Sequence, residues 1–249
     1  MLLAHDIARG LSPVSILEEA GVPVLPWQRR CLDNWSQDQH LLVTRHGGKS
    51  SVGAALALHV AMYVPGRPVV LVGRAGRQSV EIFRIARMLL DKLKSPPRLI
   101  VDGAAALELE NRSRILALPG DADTVRGISG ASAVIVDEAA YVDESMLISL
   151  EPMLSTTGGP LWLMSTAAGK RGFFYDYHRD KSVDFFRTIA TADDCPHISR
   201  EFLDKRRKRW PKWYFRQEFY CEFRDNNESA FTSDLIARLF SPGIEPIWA

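Results

Sequence analysis

Cysteine is scarce in this chain and widely scattered. Cys31, Cys195 and Cys221 are too far apart to form a C-x-x-C site, and an odd count does not point to a disulfide framework. They are expected to be reduced and structural. The six histidines include no pair at i, i+4, and Cys195-Pro196-His197 lacks a second ligand pair, so the common zinc patterns are missing. A long apolar run is missing too. The longest mainly apolar stretch, Val52 to Val64, is shorter than the roughly 18 residues that a membrane-spanning helix needs, and His59 interrupts it. The opening residues MLLAHDIARG carry His5, Asp6 and Arg9 too early for the apolar core of a signal peptide, which points to a soluble, intracellular protein. Neither sign of charge is in excess. The 31 Lys and Arg face 30 Asp and Glu, so composition offers no argument for a nucleic-acid partner, and any basic surface has to be local.

What is present is ample apolar material, 46% of 249 residues, enough to bury a sizeable core. Short runs rich in Val, Ile and Leu alternate with longer amphipathic stretches, the pattern of strands that cross over through helices. The strands are expected at 41–44, 69–73, 133–137 and 161–165. Each is apolar throughout, so both faces of the sheet should be covered, as in a mainly parallel α/β sheet. LELENRSRILALP (107–119) reads as a hairpin turning at Asn111-Arg112-Ser113 and adding an antiparallel edge. Helices are expected near 50–63, 77–94, 143–150, 172–180, 199–209 and 212–220, with Asp143 and Ser199 as N-caps.

The chemistry concentrates in TRHGGKS (44–50), between a strand and a helix-forming stretch. Gly47 and Gly48 let backbone N–H groups approach phosphate oxygens, and the helix N-terminus that follows favours negative charge. Lys49 is placed to reach the β- and γ-phosphates, and the Ser50 hydroxyl to bind magnesium. The common pattern has a leading glycine where this chain has Val43. One strand–helix unit further on, AVIVDE (133–138) ends an apolar strand in paired carboxylates. Asp137, expected at the strand tip beside the phosphate loop, suits the magnesium shell, and Glu138 suits polarisation of an attacking water. That pairing favours ATP hydrolysis over transfer to a bound acceptor.

Accessory residues fit the same site, each with a plainer structural reading beside it. Gln28, in Pro26-Trp27-Gln28, has an amide able to read an adenine edge, or is a surface glutamine beside a core tryptophan. Arg126, next to Gly127, can stabilise phosphate charge in its own or a neighbouring subunit, or make a loop salt bridge. Ser165 and Thr166 end the fourth strand, where hydroxyls can sense the γ-phosphate or merely shape a turn. Arg45 lies inside the loop, where it can contact phosphate or tie the loop to a neighbouring strand. His46 carries no assigned role. KRRKRWPKWYF (205–215) combines five consecutive basic residues with Trp210, Trp213 and Tyr214; it is a phosphate-tracking surface or a solvated basic face with aromatics packed inward.

The ordered set PWQ (26–28), TRHGGKS (44–50), VRG (125–127), VIVDEAAYVD (135–143), STAAGKRGFFYD (165–176) and RQEFYCEF (216–223) resembles the large subunit of tailed-phage terminases, the DNA-packaging motors, from about Leu25 to Arg224. Phosphate loops of that family often lack the leading glycine; His46 replaces their usual glutamine. The resemblance implies a P-loop NTPase fold of the RecA-like kind and ATP and magnesium as cofactors. It assigns phosphate, magnesium and catalytic roles to Lys49, Ser50, Asp137 and Glu138, and adenine reading to Gln28. Arg126 becomes the trans-acting arginine finger of a homo-oligomeric ring, and Ser165-Thr166 the coupling motif. Gln217-Glu218 match a recurrent family feature without an assigned step. The implied partners are double-stranded DNA, a portal protein and a small terminase subunit, in the cytoplasm of an infected bacterial host. The implied organisation is an N-terminal helical segment over 1–24, the ATPase over 25–225, and a linker over 226–249 toward a nuclease domain that this chain lacks. A helicase-like DNA translocase and a non-hydrolysing nucleotide switch are the competing readings; room for a second RecA-like domain is lacking for the first, and Glu138 argues against the second.

Overall fold

A computed structural model describes residues 2–74, 76–119 and 127–224. Its centre is one sheet of eight strands: β1 (Gln39–Val43), β2 (Pro68–Gly73), β3 (Leu99–Asp102), β4 (Ala106–Leu109), β5 (Arg114–Pro119), β6 (Ala133–Asp137), β7 (Leu161–Ser165) and β8 (Phe186–Ala190). They run in the order β3-β4-β5-β2-β6-β7-β1-β8. From β5 to β8 all neighbours are parallel, and β3–β4 and β4–β5 are antiparallel. The four expected strands are β1, β2, β6 and β7. Every residue in them is buried, which is why they read as unbroken apolar runs: helices cover both faces.

The hairpin lies where its turn residues predict, joining β4 to β5. Arg112 takes the left-handed conformation at φ 68°, while the Asn111 side chain accepts from Ser113 N at 3.0 Å and donates to the carbonyls of Ala61 and Met62. Two strands were not expected. β3 exposes Ile100, Val101 and Asp102 at the sheet margin, and β8 mixes Arg187 and Thr188 into its run. Edge strands need no continuous apolar stretch, so neither carries the pattern of the central four.

One face is packed by α2 (Val14–Glu19), α3 (Pro26–Asp33), α4 (Lys49–Tyr63) and α5 (Gly76–Asp91), and α1 (Leu2–Leu11) lies against α2 and α4. α4 is buried continuously from Val52 to Ala61. It is therefore apolar all round, as a helix enclosed by others and the sheet has to be. Helices Glu144–Leu150 and Phe173–Arg179 cover the other face. A smaller cluster holds helices Arg200–Arg209 and Lys212–Tyr220 together through Leu203, Phe215 and Phe219. Ser199 caps the first of these, accepting from Phe202 N at 3.2 Å. Asp143 precedes its helix but makes no side-chain cap; the Met146 N–H that such a cap engages goes to the Asp143 backbone carbonyl instead, at 3.0 Å. No helix among the described residues is long and apolar enough to cross a membrane.

This topology places β7 between β1 and β6. The strand beside the phosphate loop is thus the one ending in Ser165, and Asp137 lies one strand further away. All of these strands end at the same carboxyl edge, where parallel α/β sheets form their binding crevices.

Candidate active site

The loop from Thr44 to Gly48 joins β1 to α4 and is tied down on several sides. Thr44 N donates to Ala190 O at 2.7 Å, Arg45 N to Glu218 O at 2.9 Å, and Gly47 N to Thr44 O at 3.0 Å. The two glycines are required for different reasons. A Cβ on Gly47 would lie 2.6 Å from Val43 Cγ1, and one on Gly48 would lie 2.7 Å from Gln28 Nε2. Gly48 also has φ 97°, a conformation that only glycine adopts at little cost. His46 is left-handed too, φ 60°, and its carbonyl oxygen is hydrogen-bonded by the His197 ring at 2.8 Å.

Lys49 opens α4 and reaches the two carboxylates at the end of β6. Its Nζ donates to Glu138 Oε1 at 2.8 Å and stands 3.8 Å from Asp137 Oδ1. Burial opposes the ammonium charge, but Asp137 and Glu138 outweigh it and raise the Lys49 pKa, so Lys49 is charged. Asp137 is only 6% exposed. Burial pushes its carboxyl up to about 6; Lys49 opposes that rise and Glu138 adds to it. Glu138 has φ 54°, unusual for a residue with a Cβ and of a kind found where geometry serves a site. Its second oxygen accepts from Ser165 Oγ at 3.3 Å. Ser165 is fully buried and Thr166 nearly so.

Lys49, Glu138 and Thr166 line a cavity of about 560 Å³, together with Arg45, Gly47, Gly48, Ser50, Arg74, Tyr141 and Glu218. The structure thus gathers Lys49, Ser50, Glu138, Thr166, Arg45 and both glycines, with Asp137 and Ser165 directly behind. Gln28 does not line the cavity. It is buried, its Oε1 accepts from Leu25 N at 2.9 Å to cap α3, and its Nε2 donates to Gly48 O at 3.4 Å. Arg126 lies outside the described residues, as does the expected linker over 226–249.

Glu218 gains a role that its sequence context did not supply. It is 3% exposed and accepts from Arg45 Nη1 at 2.9 Å, a bond that raises the Arg45 pKa; its backbone carbonyl also takes Thr44 Oγ1 at 3.2 Å. The Lys212–Tyr220 helix is thereby fastened to the phosphate loop. In the adjoining basic segment the aromatic residues divide. Trp210 stacks on Phe219 and carries the Arg206 guanidinium, whereas Trp213 is 37% exposed.

Magnesium fits the donors present. The Ser50 hydroxyl and the Asp137 carboxylate are hard oxygen ligands, and a divalent cation discharges a buried carboxylate whose ionisation is otherwise costly. No group of three His, Cys, Asp or Glu able to hold a metal occurs among the described residues. Two protein oxygens with the remaining shell open to ligand and water is an arrangement that magnesium commonly takes.

A family model described as terminase large subunit, T4likevirus-type, N-terminal, matches residues 41–238. The fold is shared with the large terminase ATPase domain of Thermus phage P74-26, at 22% identity and a TM-score of 0.72, over 83% of this chain and 96% of that one. It is shared also with the large terminase of the thermophilic bacteriophage D6E in complex with ATP-gamma-S, at 15% identity and 0.62, over 84% and 52%. The HK97 bacteriophage large terminase aligns at 16% identity and 0.63, over 82% and 51%. The chain thus spans about half the length of the last two. A comparison with curated proteins returned no match.

Proposed function

The chain belongs to the T4likevirus-type terminase large subunit family, as its N-terminal part, and from that premise we propose that it is a magnesium-dependent ATPase whose turnover drives double-stranded DNA into a viral procapsid. The observation that carries the hydrolytic half is the meeting of Lys49 with Glu138 and Asp137 at the mouth of a glycine loop.

In this reading the triphosphate lies along the loop, with its oxygens on backbone N–H groups at the α4 N-terminus. Its terminal phosphate enters between Lys49 and Glu138 and draws the ammonium onto itself. Glu138, released from that ion pair and still held by Ser165, orients a water toward the γ-phosphorus. The water oxygen bonds to phosphorus as the bond to the β–γ bridging oxygen breaks. One water proton passes to the Glu138 carboxylate, and ADP and inorganic phosphate leave. Magnesium bound by Ser50 and Asp137 supplies charge neutralisation for the phosphate oxygens. Thr166 lines the same cavity as Lys49 and Glu138, which suits the coupling role implied for Ser165-Thr166.

Arg126 acts in trans from a neighbouring subunit of a ring, and the portal protein and small terminase subunit are the other partners, in the cytoplasm of the infected host. The basic residues of Arg200–Arg209 suit the phosphates of a duplex gripped without base reading. Gln28, with one amide hydrogen and one oxygen lone pair uncommitted, can still meet an adenine edge if the base settles beside Gly48.

The test is phosphate release from magnesium ATP by the wild-type chain and by Glu138→Gln. The variant should keep nucleotide affinity within about threefold and lose turnover by 100-fold or more, the scale of a general base. Undiminished turnover in Glu138→Gln would remove Glu138 from the chemistry.

A further inference from the structure

Three residues with permanent positive charge line the nucleotide cavity: Arg45, Lys49 and Arg74. Two are committed, Lys49 to Glu138 and Arg45 to Glu218. Arg74 is exposed and makes no salt bridge to a described residue; its guanidinium stands over the Tyr141 ring, 5.8 Å from the centroid.

Its position follows from strand register. Gly73, the last residue of β2, pairs with Asp137, and on the other side of β6 Asp137 pairs with Met164. One step beyond, Glu138 accepts from Ser165 of β7, and Arg74 follows directly on Gly73 at the end of β2. Arg74 lines the same cavity as Lys49 and Glu138, between which, on the proposed function, a terminal phosphate has to enter. A planar guanidinium can offer two parallel N–H groups to phosphate oxygens. A cation–π contact at an exposed site is weak beside such a charge-assisted bond, so Tyr141 can hold the side chain ready and release it.

We propose that Arg74 is a substrate-contacting residue that binds the terminal phosphate from within the same chain and so separates the nucleoside triphosphate from the diphosphate. The proposal rests on the reading of this cavity as an ATP site. The plainer role is structural: beyond Tyr141 a second cavity is lined by Arg74 together with Asp143 and Glu144, and an arginine turned that way would serve only to balance those carboxylates.

The two roles separate in binding measurements with magnesium, comparing ADP with a slowly hydrolysed ATP analogue bearing a γ-thiophosphate, on the wild-type chain, Arg74→Gln and Arg74→Lys. Loss of one charge-assisted contact should weaken the triphosphate analogue by about 10- to 100-fold in Arg74→Gln, with ADP changed by less than about twofold and part of the loss recovered in Arg74→Lys. Equal weakening of both nucleotides, or no change in either, overturns the assignment. An unchanged unfolding midpoint for Arg74→Gln shows that the variant folds. A wild-type chain that binds neither nucleotide overturns the ATP-site reading itself, and the Arg74 proposal with it.

Discussion

Asp137→Asn should stabilise the free protein at neutral pH while removing its magnesium response. The Asp137 carboxyl is pushed from an ordinary 3.8 to about 6 by burial, so the folded chain holds a proton that the unfolded chain has already lost. Stability falls as pH rises through that window, since the unfolded state there binds fewer protons than the folded one. The gap from 3.8 to about 6 corresponds to about 3 kcal/mol at 1.36 kcal/mol per pH unit, present in full above about pH 7. Asparagine keeps an oxygen able to accept from Glu138 N, as Asp137 Oδ1 does at 3.0 Å, and carries no charge. The variant therefore mimics the protonated side chain at every pH. Urea unfolding of both proteins at several pH values reads the difference. It should be small near pH 4, grow by roughly 1.4 kcal/mol per unit between about pH 4 and 6, and level off at up to about 3 kcal/mol in favour of Asp137→Asn. Magnesium nucleotide should then reverse the order, because only the wild-type side chain contributes a charged metal ligand. A variant no more stable than wild type at pH 7.5, or a difference independent of pH, refutes the claim that this carboxylate is strained by burial.

Gly48→Ala combines a left-handed backbone, φ 97°, with a Cβ 2.7 Å from Gln28 Nε2. It should cost about 2–3 kcal/mol, from about 1–2 for the conformation and about 1 for the displaced Gln28 bond, and denaturant titration and nucleotide binding should fall together. His40 and His59 are buried and neutral, each lowered to about 4 chiefly by burial. Their unfolded counterparts protonate near 6.5, so stability should be lost as pH falls from about 6.5 toward 4, by up to about 3 kcal/mol for each histidine. Circular dichroism melts across that range should show His59→Gln losing less than wild type over the same interval, and parallel losses would exclude His59 as a source. This term has the opposite sign to that of Asp137, and it cancels when wild type is compared with Asp137→Asn.

The legible parts of the fold and site were those whose chemistry is local. Gly47, Gly48, Lys49 and Ser50 sit next to one another between a strand and a helix, and the Asp137-Glu138 pair ends an apolar run; adjacency alone brings each group to a strand tip. The central strands were legible because full burial leaves no polar residue to interrupt them. What stayed hidden is relational. Glu218 lies 173 residues from Arg45, and no spacing announces that pair. The Gln28 amide was readable as a versatile donor and acceptor, but its direction depends on the entry of α3 and on where Gly48 turns. The order β6-β7-β1 decides which hydroxyl stands beside the phosphate loop, and crossovers leave no mark in composition. Arg74 is an ordinary arginine after a strand until the Gly73–Asp137 register places it level with Glu138.

These relations make the free site a charge arrangement that substrate has to rearrange. Asp137 and Glu138 share one ammonium, so a net negative charge stands in a nearly buried place, and the rise in the Asp137 pKa measures that discomfort. The Glu138 carboxylate stands 2.8 Å from the Lys49 ammonium, and in the proposed mechanism it has to leave that ion pair before it can orient a water. Under the proposed function, a triphosphate, which carries more negative charge than Glu138 and offers Lys49 more oxygens, would take the ammonium away, and a cation held by Ser50 and Asp137 would neutralise Asp137. In that proposal the group that would polarise water is set free by the molecule that the water attacks. The left-handed backbone at Glu138 and the Ser165 bond keep the released carboxylate from swinging away. On that proposal, hydrolytic competence is conditional on a filled phosphate site.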